Sequence, residues 1–320
     1  RALALLREEC AALDASRGGA TPAQPTPPEA RRREAEALLQ LGRWSAEAGQ
    51  GTFADVSDLF KRAIGLAPRG SPVGAEANFH YGAYLDALAA DAKARQGGTA
   101  GAERVGGGGS AGAGASAAAA PPNSRTDRLS GRSRIPLGED IPFVEITGAA
   151  LRHYGAAVGL GSDHAAQALP RLLTAFFEVG SRCVAVPRPP SPRERAARSE
   201  VLAGMQGLVK ALPMRAWLPA LPQLTSRVCH PHPETQGVAR HLLTRVAAAY
   251  PHQSLWALAA VAKSAVPARA EAAAAILASA KRHAQPGRQE AARRLHAAFA
   301  ALCDQLIRLC HHAPAGRARS

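Results

Sequence analysis

Apolar side chains recur every three or four positions along most of the chain, which is the spacing of one face of an α-helix. No segment shows the strict alternation of apolar and polar residues that is typical of a strand. The pattern therefore predicts an all-α protein. The clearest rows in the first part of the chain are Leu3, Leu6, Cys10 and Leu13; Ala37, Leu41, Trp44 and Ala48; Phe53, Val56, Phe60 and Ile64; and Ala77, Tyr81, Tyr84 and Leu88.

Two of these rows, within residues 35–68, predict a helix, a short turn and a second helix. The first helix carries the stretch LGRW and the second ends at AIGLAP. Small and aromatic residues at such positions let paired helices nest, and the arrangement is similar to one tetratricopeptide repeat unit. We therefore predict tetratricopeptide-like helical repeats for residues 1–95.

Residues 96–140 break the helical pattern. They are rich in Gly, Ala, Ser and Pro and have no apolar period, so they cannot bury enough surface to offset the entropy of ordering. The run from Gly106 to Gly109 is not a phosphate-binding loop, because no Lys-Ser or Lys-Thr follows it and no strand precedes it. This segment is predicted to be a flexible low-complexity insertion.

Helical periodicity resumes over residues 141–312. Proline is tolerated in the first turn of a helix, so the prolines in this region predict helix starts. Because the helices are joined by very short links, neighbours must run antiparallel. We predict an α-solenoid of HEAT-like helix pairs, followed by a tail or linker at residues 313–320. The prolines that head these helices are Pro222, Pro233, Pro251 and Pro267.

Another apolar row, from Ala165 to Phe177, is followed by Gly180, which we expect to cap the C-terminus of that helix. A proline-rich loop is predicted at residues 186–193. The next apolar row then runs from Val201 to Leu212.

The formal net charge of +14 is concentrated in one half of the chain. Residues 141–320 hold 22 Lys and Arg against nine Asp and Glu, whereas residues 1–95 hold twelve of each. Only five of the 39 basic residues are lysine, a bias that GC-rich coding would produce. A basic surface attracts phosphate backbones, but a solvated helix face is the favoured interpretation. Direct contact with nucleic acid is therefore not expected.

Five cysteines are too few and too irregularly spaced for a disulfide framework, so reduced thiols are expected. The sequence contains no apolar run long enough to span a membrane, and it begins at Arg1 without a signal-peptide pattern. We expect a piece of a longer, soluble, intracellular protein. The cysteines are Cys10, Cys183, Cys229, Cys303 and Cys310.

Two clusters could carry chemistry: Cys229, His230 and His232 between two prolines, and Cys310–His312 near the end. Zinc sites usually combine two pairs of ligands, and neither cluster has a second pair at a matching distance, although Cys303 lies two turns before Cys310. A cysteine nucleophile would also need an oriented base and an oxyanion hole. We expect Cys229 to pack as a small apolar residue and the histidines to cap or flank a helix end. No catalytic, cofactor-binding or metal-binding residue is predicted.

Two further features have alternative interpretations. The three tryptophans, Trp44, Trp217 and Trp256, invite a stacking or peptide-binding role, but each falls in or beside an apolar row, so core packing is favoured. A basic stretch before the last helix could meet an acidic partner or nucleic acid, but a solvated face is favoured. It consists of Lys281, Arg282, Arg288, Arg293 and Arg294.

Residues 224–280 resemble the late part of the FAT region of the phosphatidylinositol 3-kinase-related protein kinases. Within them, AYPHQSLWALAAVAKSAVPAR is most similar to the ATR-like checkpoint branch, in which a Tyr-Pro-x-Gln stretch leads to a Trp, then Lys-Ser and an Arg. LGRWSAEAG, NFHYGAYLDAL and LRHYGAAVGLGSDHAAQALPRLLTAFFEVGS fall in the same order as their family counterparts. The resemblance covers nearly the whole chain apart from residues 96–140.

The resemblance implies a non-catalytic helical scaffold that wraps around and supports a kinase domain lying beyond Ser320. ATP and magnesium would bind that domain and not this segment. It further implies a nuclear protein serine/threonine kinase of the DNA damage and replication-stress checkpoint, with a regulatory interacting subunit and a possible homodimer of heterodimers. Because this branch phosphorylates Ser or Thr followed by Gln, Thr235-Gln236 fits, but such pairs arise often by chance; Ser191 is a second residue whose phosphorylation is open.

Two other functional classes stay open at this point. One is a free-standing helical-repeat scaffold that binds nucleic acid or partner proteins through its basic second half. The other is a zinc or thiol enzyme built on the Cys-His cluster.

Overall fold

The computed structural model describes residues 2–18, 28–102, 141–185, 189–283 and 287–311. Within those ranges every regular element is helical, which confirms the predicted all-α fold of the α-solenoid class. None of the helices described there combines the length and the apolar character needed to cross a membrane. The α-helices are α1 (Ala2–Gly18), α2 (Pro28–Ala48), α3 (Phe53–Leu66), α4 (Pro72–Ala102), α5 (Phe143–Gly159), α6 (Ala165–Ala185), α7 (Pro192–Ala211), α8 (Leu221–Ser226), α9 (Pro233–Ala249), α10 (Pro251–Ala262), α11 (Pro267–Arg282) and α12 (Gln289–Cys310), and a 3₁₀ helix (Met214–Ala220) precedes α8.

The chain divides into two compact units, one formed by Arg1–Ala175 with Pro189–Gly204 and the other by Phe176–Arg188 with Met205–Ser320. In the first unit, α2 packs on α3 and α4 packs on α5. A glycine faces an aromatic ring in each of these pairs, where a larger residue would be crowded: a Cβ at Gly42 would lie 3.3 Å from the Phe60 ring, and one at Gly82 would lie 3.0 Å from the Tyr154 ring. Small residues thus let these helix pairs nest.

The predicted helix, turn and helix of residues 35–68 are confirmed as α2 and α3. The link between them turns through Gly49 and Gly51, whose φ angles of 65° and 92° favour glycine. Thr52 then begins α3 with a capping box: its hydroxyl accepts the backbone N–H of Asp55, and the Asp55 carboxylate accepts the backbone N–H of Thr52. The Asp55 carboxylate accepts hydrogen bonds from the Thr52 backbone N–H and, to a smaller extent, from the Thr52 hydroxyl, and these two bonds lower the pKa of Asp55. The tetratricopeptide label for this region stays a prediction.

In the second unit, prolines stand at the helix starts as predicted. Pro233, Pro251 and Pro267 are the first residues of α9, α10 and α11, and Pro222 lies in the first turn of α8. The single residue Tyr250 joins α9 to α10, and each of α9, α10 and α11 packs on the other two. Trp217, on the 3₁₀ helix, is fully buried, as predicted from its apolar row.

The prediction that Gly180 ends a helix is wrong. Helix α6 continues to Ala185, and Gly180 lies buried inside it. A Cβ there would collide with the side chain of Thr235 and lie 2.9 Å from Cε1 of His230. Gly180 is present because another part of the second unit approaches the helix at this point, and not because the helix needs a left-handed cap.

The predicted domain boundaries stay predictions, with one difference at the insertion. Helix α4 extends to Ala102, so the segment predicted to begin at residue 96 starts inside that helix. Residues 103–140, most of the predicted insertion, lie outside the described residues, as do residues 313–320 and part of the proline-rich loop at 186–188.

Candidate functional site

The segment between α8 and α9 holds the Cys229, His230 and His232 cluster, and hydrogen bonds with protein atoms occupy both ring nitrogens of His230. Nδ1 accepts the backbone N–H of His232 at 3.1 Å. The proton must therefore be on Nε2, which lies 3.0 Å from the carbonyl oxygen of Phe177 and 3.1 Å from Oγ of Ser181. The side chain is buried, and burial lowers the pKa of His230, which favours its neutral form.

His232 is the N-cap of α9. Its Nδ1 accepts from the backbone N–H of Thr235 at 3.4 Å and lies 3.0 Å from the Thr235 hydroxyl. Thr235 is itself buried, with 3% of its surface exposed, and its side chain faces Gly180 of α6. The prediction that these histidines cap or flank a helix end is therefore confirmed.

Cys229 is half-buried, and its thiol donates to the carbonyl oxygen of Ala268 at 3.4 Å, at the start of α11. In the second cluster, Cys310 is exposed at the end of α12 and Cys303 is half-buried on the same helix. His311 directly follows the helix, and His312 lies outside the described residues. The contact shown for Cys229 is thus a hydrogen bond, and the prediction that it packs as a small apolar residue stays a prediction.

A different group of side chains comes together in the first unit, and sequence reasoning missed it. Glu76 and His80 lie one turn apart on α4, and His164 precedes α6. One ligand atom from each lies within 4.8 Å of those of the other two. The only sequence signal was the Glu-x-x-x-His spacing of Glu76 and His80, which places both on one helix face. The approach of His164 depends on tertiary packing, which spacing cannot reveal.

Burial and charge set the state of this group. Burial, reinforced by the nearby guanidinium of Arg43 and by His164, lowers the pKa of His80 to about 3, so its ring is neutral near pH 7. Arg43 Nη1 lies 3.5 Å from the Glu76 carboxylate. The His80 Nε2 atom lies 3.7 Å from the same carboxylate, beyond hydrogen-bond distance. The group is thus two imidazoles and a carboxylate beside one cation.

A groove of about 480 Å³ in the first unit is lined by α3, α4, α5 and the start of α7. Five charged residues line it, and four of them form pairs: Arg193 binds Glu145 through two hydrogen bonds, and Arg152 lies 3.7 Å from Glu200. Lys61 is the fifth charged residue of the lining and lies outside these two pairs.

The prediction that all three tryptophans pack in the core is wrong for Trp256 and only partly met for Trp44. Trp256 is 58% exposed and Trp44 is 38% exposed. The buried face of α10 is formed by Ser254, Leu255, Leu258 and Val261, and Trp256 lies beside that face. Its indole instead meets the Phe299 ring of α12 edge to face, with centroids 4.7 Å apart.

Helix α12 is amphipathic, yet none of its described residues is buried. Its apolar row starts at Leu295 and Phe299, which are half-buried, and continues through Leu302, Leu306 and Leu309, which are 46%, 40% and 70% exposed. We call the last three residues the α12 row. Apolar side chains in such a row gain free energy only when another surface covers them.

The basic stretch runs from the end of α11 into the first turns of α12 and is largely solvated, as predicted. Arg282, Arg288, Arg293 and Arg294 are exposed, and the last two lie 3.8 and 3.2 Å from the Glu290 carboxylate.

Residues 200–303 match the family model for the HEAT repeats of ATR-like serine/threonine-protein kinases. The chain is 33% identical over 283 residues to the serine/threonine-protein kinase ATR of Oryza sativa subsp. indica, a match that covers 88% of this chain and 10% of that protein. It is 30% identical over 278 residues to the protein of the same name from Arabidopsis thaliana, which covers 87% of this chain and 9% of that protein. It is also 30% identical over 129 residues to protein kinase rad3 of Schizosaccharomyces pombe, which covers 38% of this chain and 5% of that protein.

The chain spans about a tenth of the length of the curated plant relatives that it matches. The matches run across both described units and agree with the resemblance found in the sequence, including its ATR-like branch. The chain therefore belongs to the ATR-like branch of the phosphatidylinositol 3-kinase-related kinases, as a helical-repeat segment of that family.

Proposed function

We propose that this chain is a non-catalytic scaffold within an ATR-like protein kinase, and that it supports and regulates the kinase domain of that protein. The observation that carries the proposal is the α12 row, in which three leucines lie in line on one helix face and stay 40–70% exposed. Fully burying a leucine side chain contributes about 1.5–3 kcal/mol, so covering this row would stabilise an interface by several kcal/mol. A protein of the relatives' length supplies additional polypeptide to cover it.

In this proposal the scaffold acts by biasing the kinase domain between a resting and an active arrangement. Coupling of that kind needs an element that both surfaces contact, and the α12 row is our candidate for it. The parent protein would be a nuclear, ATP- and magnesium-dependent serine/threonine kinase of the DNA damage and replication-stress checkpoint. Its further partners would be an ATR-interacting regulatory subunit and, in a homodimer of heterodimers, a second copy of the complex.

The experiment introduces two acidic residues on the α12 row of the full-length protein, Leu306→Glu with Leu309→Glu. The matched control places the same charges on the opposite, exposed face of the helix, as Ala297→Glu with Ala300→Glu. Burying an unpaired carboxylate is costly, so the row variant should change basal or stimulated kinase activity by about ten-fold or more, equivalent to about 1.4 kcal/mol of coupling. The control should stay within about two-fold.

Circular dichroism of both variants shows whether they fold. A folded row variant with unaltered basal and stimulated activity would contradict the proposal. Deleting residues 224–312 is the coarser version of the same experiment, and unchanged activity there would count against any regulatory role.

A second candidate is a basic scaffold that binds nucleic acid, favoured by the +13 net charge of residues 141–320. Its affinity for DNA should fall steeply as salt is raised, because each phosphate contact releases counterions. Weak binding that is indifferent to salt would remove this candidate.

A further inference from the structure

Three side chains of the first unit, Glu76, His80 and His164, converge on one point although the proposed scaffold role does not use them. The first two lie at positions i and i+4 of α4, so they point from the same face of that helix. The third comes from the segment between α5 and α6. Their ligand atoms all lie within 4.8 Å of one another, and all three residues are partly buried.

The His80 ring has an unused nitrogen at the centre of this group. Its Nε2 atom is buried and has no hydrogen-bond partner within the described part of the chain. A buried polar atom without a partner costs about 1–3 kcal/mol, so native proteins seldom keep one without a compensating interaction. The nearest carboxylate oxygen, from Glu76, lies 3.7 Å away, close enough to share a metal ion and too far for a hydrogen bond.

The backbone around His164 holds its ring in place. Its N–H donates to Oγ of Ser162 at 3.1 Å, and its carbonyl oxygen accepts the N–H groups of Gln167 and Ala168 at the start of α6. The ring stacks on Phe79 with centroids 4.4 Å apart and meets the edge of the His80 ring at 5.6 Å. A ring fixed in this way loses little further freedom on binding a ligand.

We propose that Glu76, His80 and His164 form a zinc-binding site that ties helix α4 to the segment preceding α6. Two imidazole nitrogens and one carboxylate oxygen are ligands that Zn²⁺ takes with bond lengths of about 2.0–2.2 Å. In a tetrahedral site those bond lengths place neighbouring ligand atoms about 3.3 Å apart. The three atoms therefore need to close by up to about 1.5 Å. The Glu76 side chain is 41% exposed and so has room to rotate towards the two rings, and any remaining gap has to be closed by rotation of the imidazoles. Water would fill the fourth position.

Arg43 would compete with a zinc ion for the Glu76 carboxylate. Its guanidinium lies 3.5 Å from the Glu76 carboxylate, and its buried Nε atom has no hydrogen-bond partner among the residues that the structure describes. A cation beside a dication weakens binding of the dication, so zinc has to displace this ion pair. The site should accordingly be of moderate affinity and should tighten when Arg43 is replaced by a neutral residue.

The experiment titrates the purified, untagged and metal-free chain with zinc chloride and follows binding by calorimetry and thermal unfolding. We expect one zinc ion per chain and a rise in melting temperature that a chelator reverses. His164→Gln and Glu76→Gln should each weaken binding at least about ten-fold, since each removes one of three ligands. Arg43→Gln should tighten binding at least about five-fold.

His153→Gln is the matched control, because His153 is another partly buried histidine of the same unit and its Nδ1 bonds Asn78 instead of the cluster. It should bind zinc as the parent chain does. Cobalt(II) provides a readout that is independent of stability: a nitrogen and oxygen site gives d–d absorption without a thiolate charge-transfer band. His80→Gln is a further ligand variant, to be used if its far-ultraviolet circular dichroism spectrum shows that the chain is folded.

Three results would overturn the proposal. One is the absence of saturable zinc binding by a folded chain. Another is binding that persists unchanged in both Glu76→Gln and His164→Gln. A thiolate charge-transfer band with cobalt would also overturn it, because that would assign the metal to cysteines elsewhere. The result of the zinc experiment is independent of the result for the α12 row. That row lies on another helix, and its role is tested by kinase activity.

Discussion

The two histidine groups of this chain differ in how many of their ring nitrogens are already used. His230 and His232 lie two positions apart, and hydrogen bonds with protein atoms engage both nitrogens of His230 and Nδ1 of His232. His80 and His164 lie far apart in sequence, and Nε2 of His80 has no hydrogen-bond partner among the described residues. Proximity along the chain therefore says little about binding. The number of unused donor and acceptor atoms is the better guide to whether an imidazole is free to bind a ligand.

Among the variants that test this comparison, Gly180→Ala should cause the largest loss of stability, because His230 and Thr235 pack closely against α6 at this glycine. In Gly180→Ala the new Cβ would meet His230 and Thr235 at 3.0 Å or less. Overpacking of this kind should lower the free energy of unfolding by about 3 kcal/mol, measured by urea denaturation. Gly207→Ala is the matched control: no described atom outside its own helix turn lies within 4 Å of the new Cβ on this glycine of α7, so the change should be neutral or stabilising by up to about 1 kcal/mol.

His230→Ala should cause a somewhat smaller loss of stability. The substitution removes a side chain that is 3% exposed and leaves the backbone N–H of His232 without its acceptor. The free energy of unfolding should fall by about 2–3 kcal/mol. His252→Ala, an exposed histidine on α10, should change it by less than about 0.5 kcal/mol. Equal changes in the free energy of unfolding for the two variants would show that the burial and hydrogen bonds of His230 do not stabilise the fold.

Acid should weaken the first unit, because burial lowers the pKa of His153 from its ordinary 6.5 to about 4. Between those values the unfolded chain takes up a proton that the folded ring refuses, so stability falls as pH falls from 6.5 towards 4; above pH 6.5 the ring contributes no pH dependence. His153 should account for about 2 kcal/mol of this loss. Denaturation at pH 7 and pH 4.5 should therefore show a smaller pH dependence for His153→Gln than for the parent chain. If His153→Gln and the parent chain show the same pH dependence of stability, the lowered pKa of His153 is not its cause.

Cys229→Ala should cause the smallest change in stability. Its thiol makes one long hydrogen bond, 3.4 Å from the Ala268 carbonyl oxygen, and the side chain is half-buried. The free energy of unfolding should change by less than about 1 kcal/mol. Zinc binding should be unchanged as well. A large loss of zinc affinity would move the metal from the His80 group to the Cys229 group and so reverse the comparison.

Helix positions were predictable because local chemistry fixes them. A proline at the first turn costs nothing there, so Pro233, Pro251 and Pro267 marked three helix starts correctly. Gly180 misled the same reasoning, because a glycine that caps a helix and one that admits a neighbouring segment look alike in a sequence. What separates the two is a contact with Thr235, which only the folded chain provides.

Side-chain exposure was less predictable than helix position. Trp256 is in an apolar stretch, but neighbouring positions of a helix differ in direction by about 100°, so Leu255 is buried while Trp256 is exposed. The Glu76 and His80 pair was visible as a spacing, whereas its third member, His164, depends on how α4 packs against α5. Long-range convergence of this kind is beyond what a single sequence can fix.

The arginines of α9 bear on what the charge of this chain can do. The Arg245 guanidinium donates to the Val209 carbonyl oxygen in the last turn of α7 at 2.6 Å, and Arg240 donates to the Val228 carbonyl oxygen at 2.9 Å. Cations placed against carbonyl groups in this way neutralise the chain's own dipoles, including the negative end of a helix. An approaching polyanion would consequently find fewer free N–H groups on these two arginines than on exposed ones, although the formal net charge of +14 is unchanged.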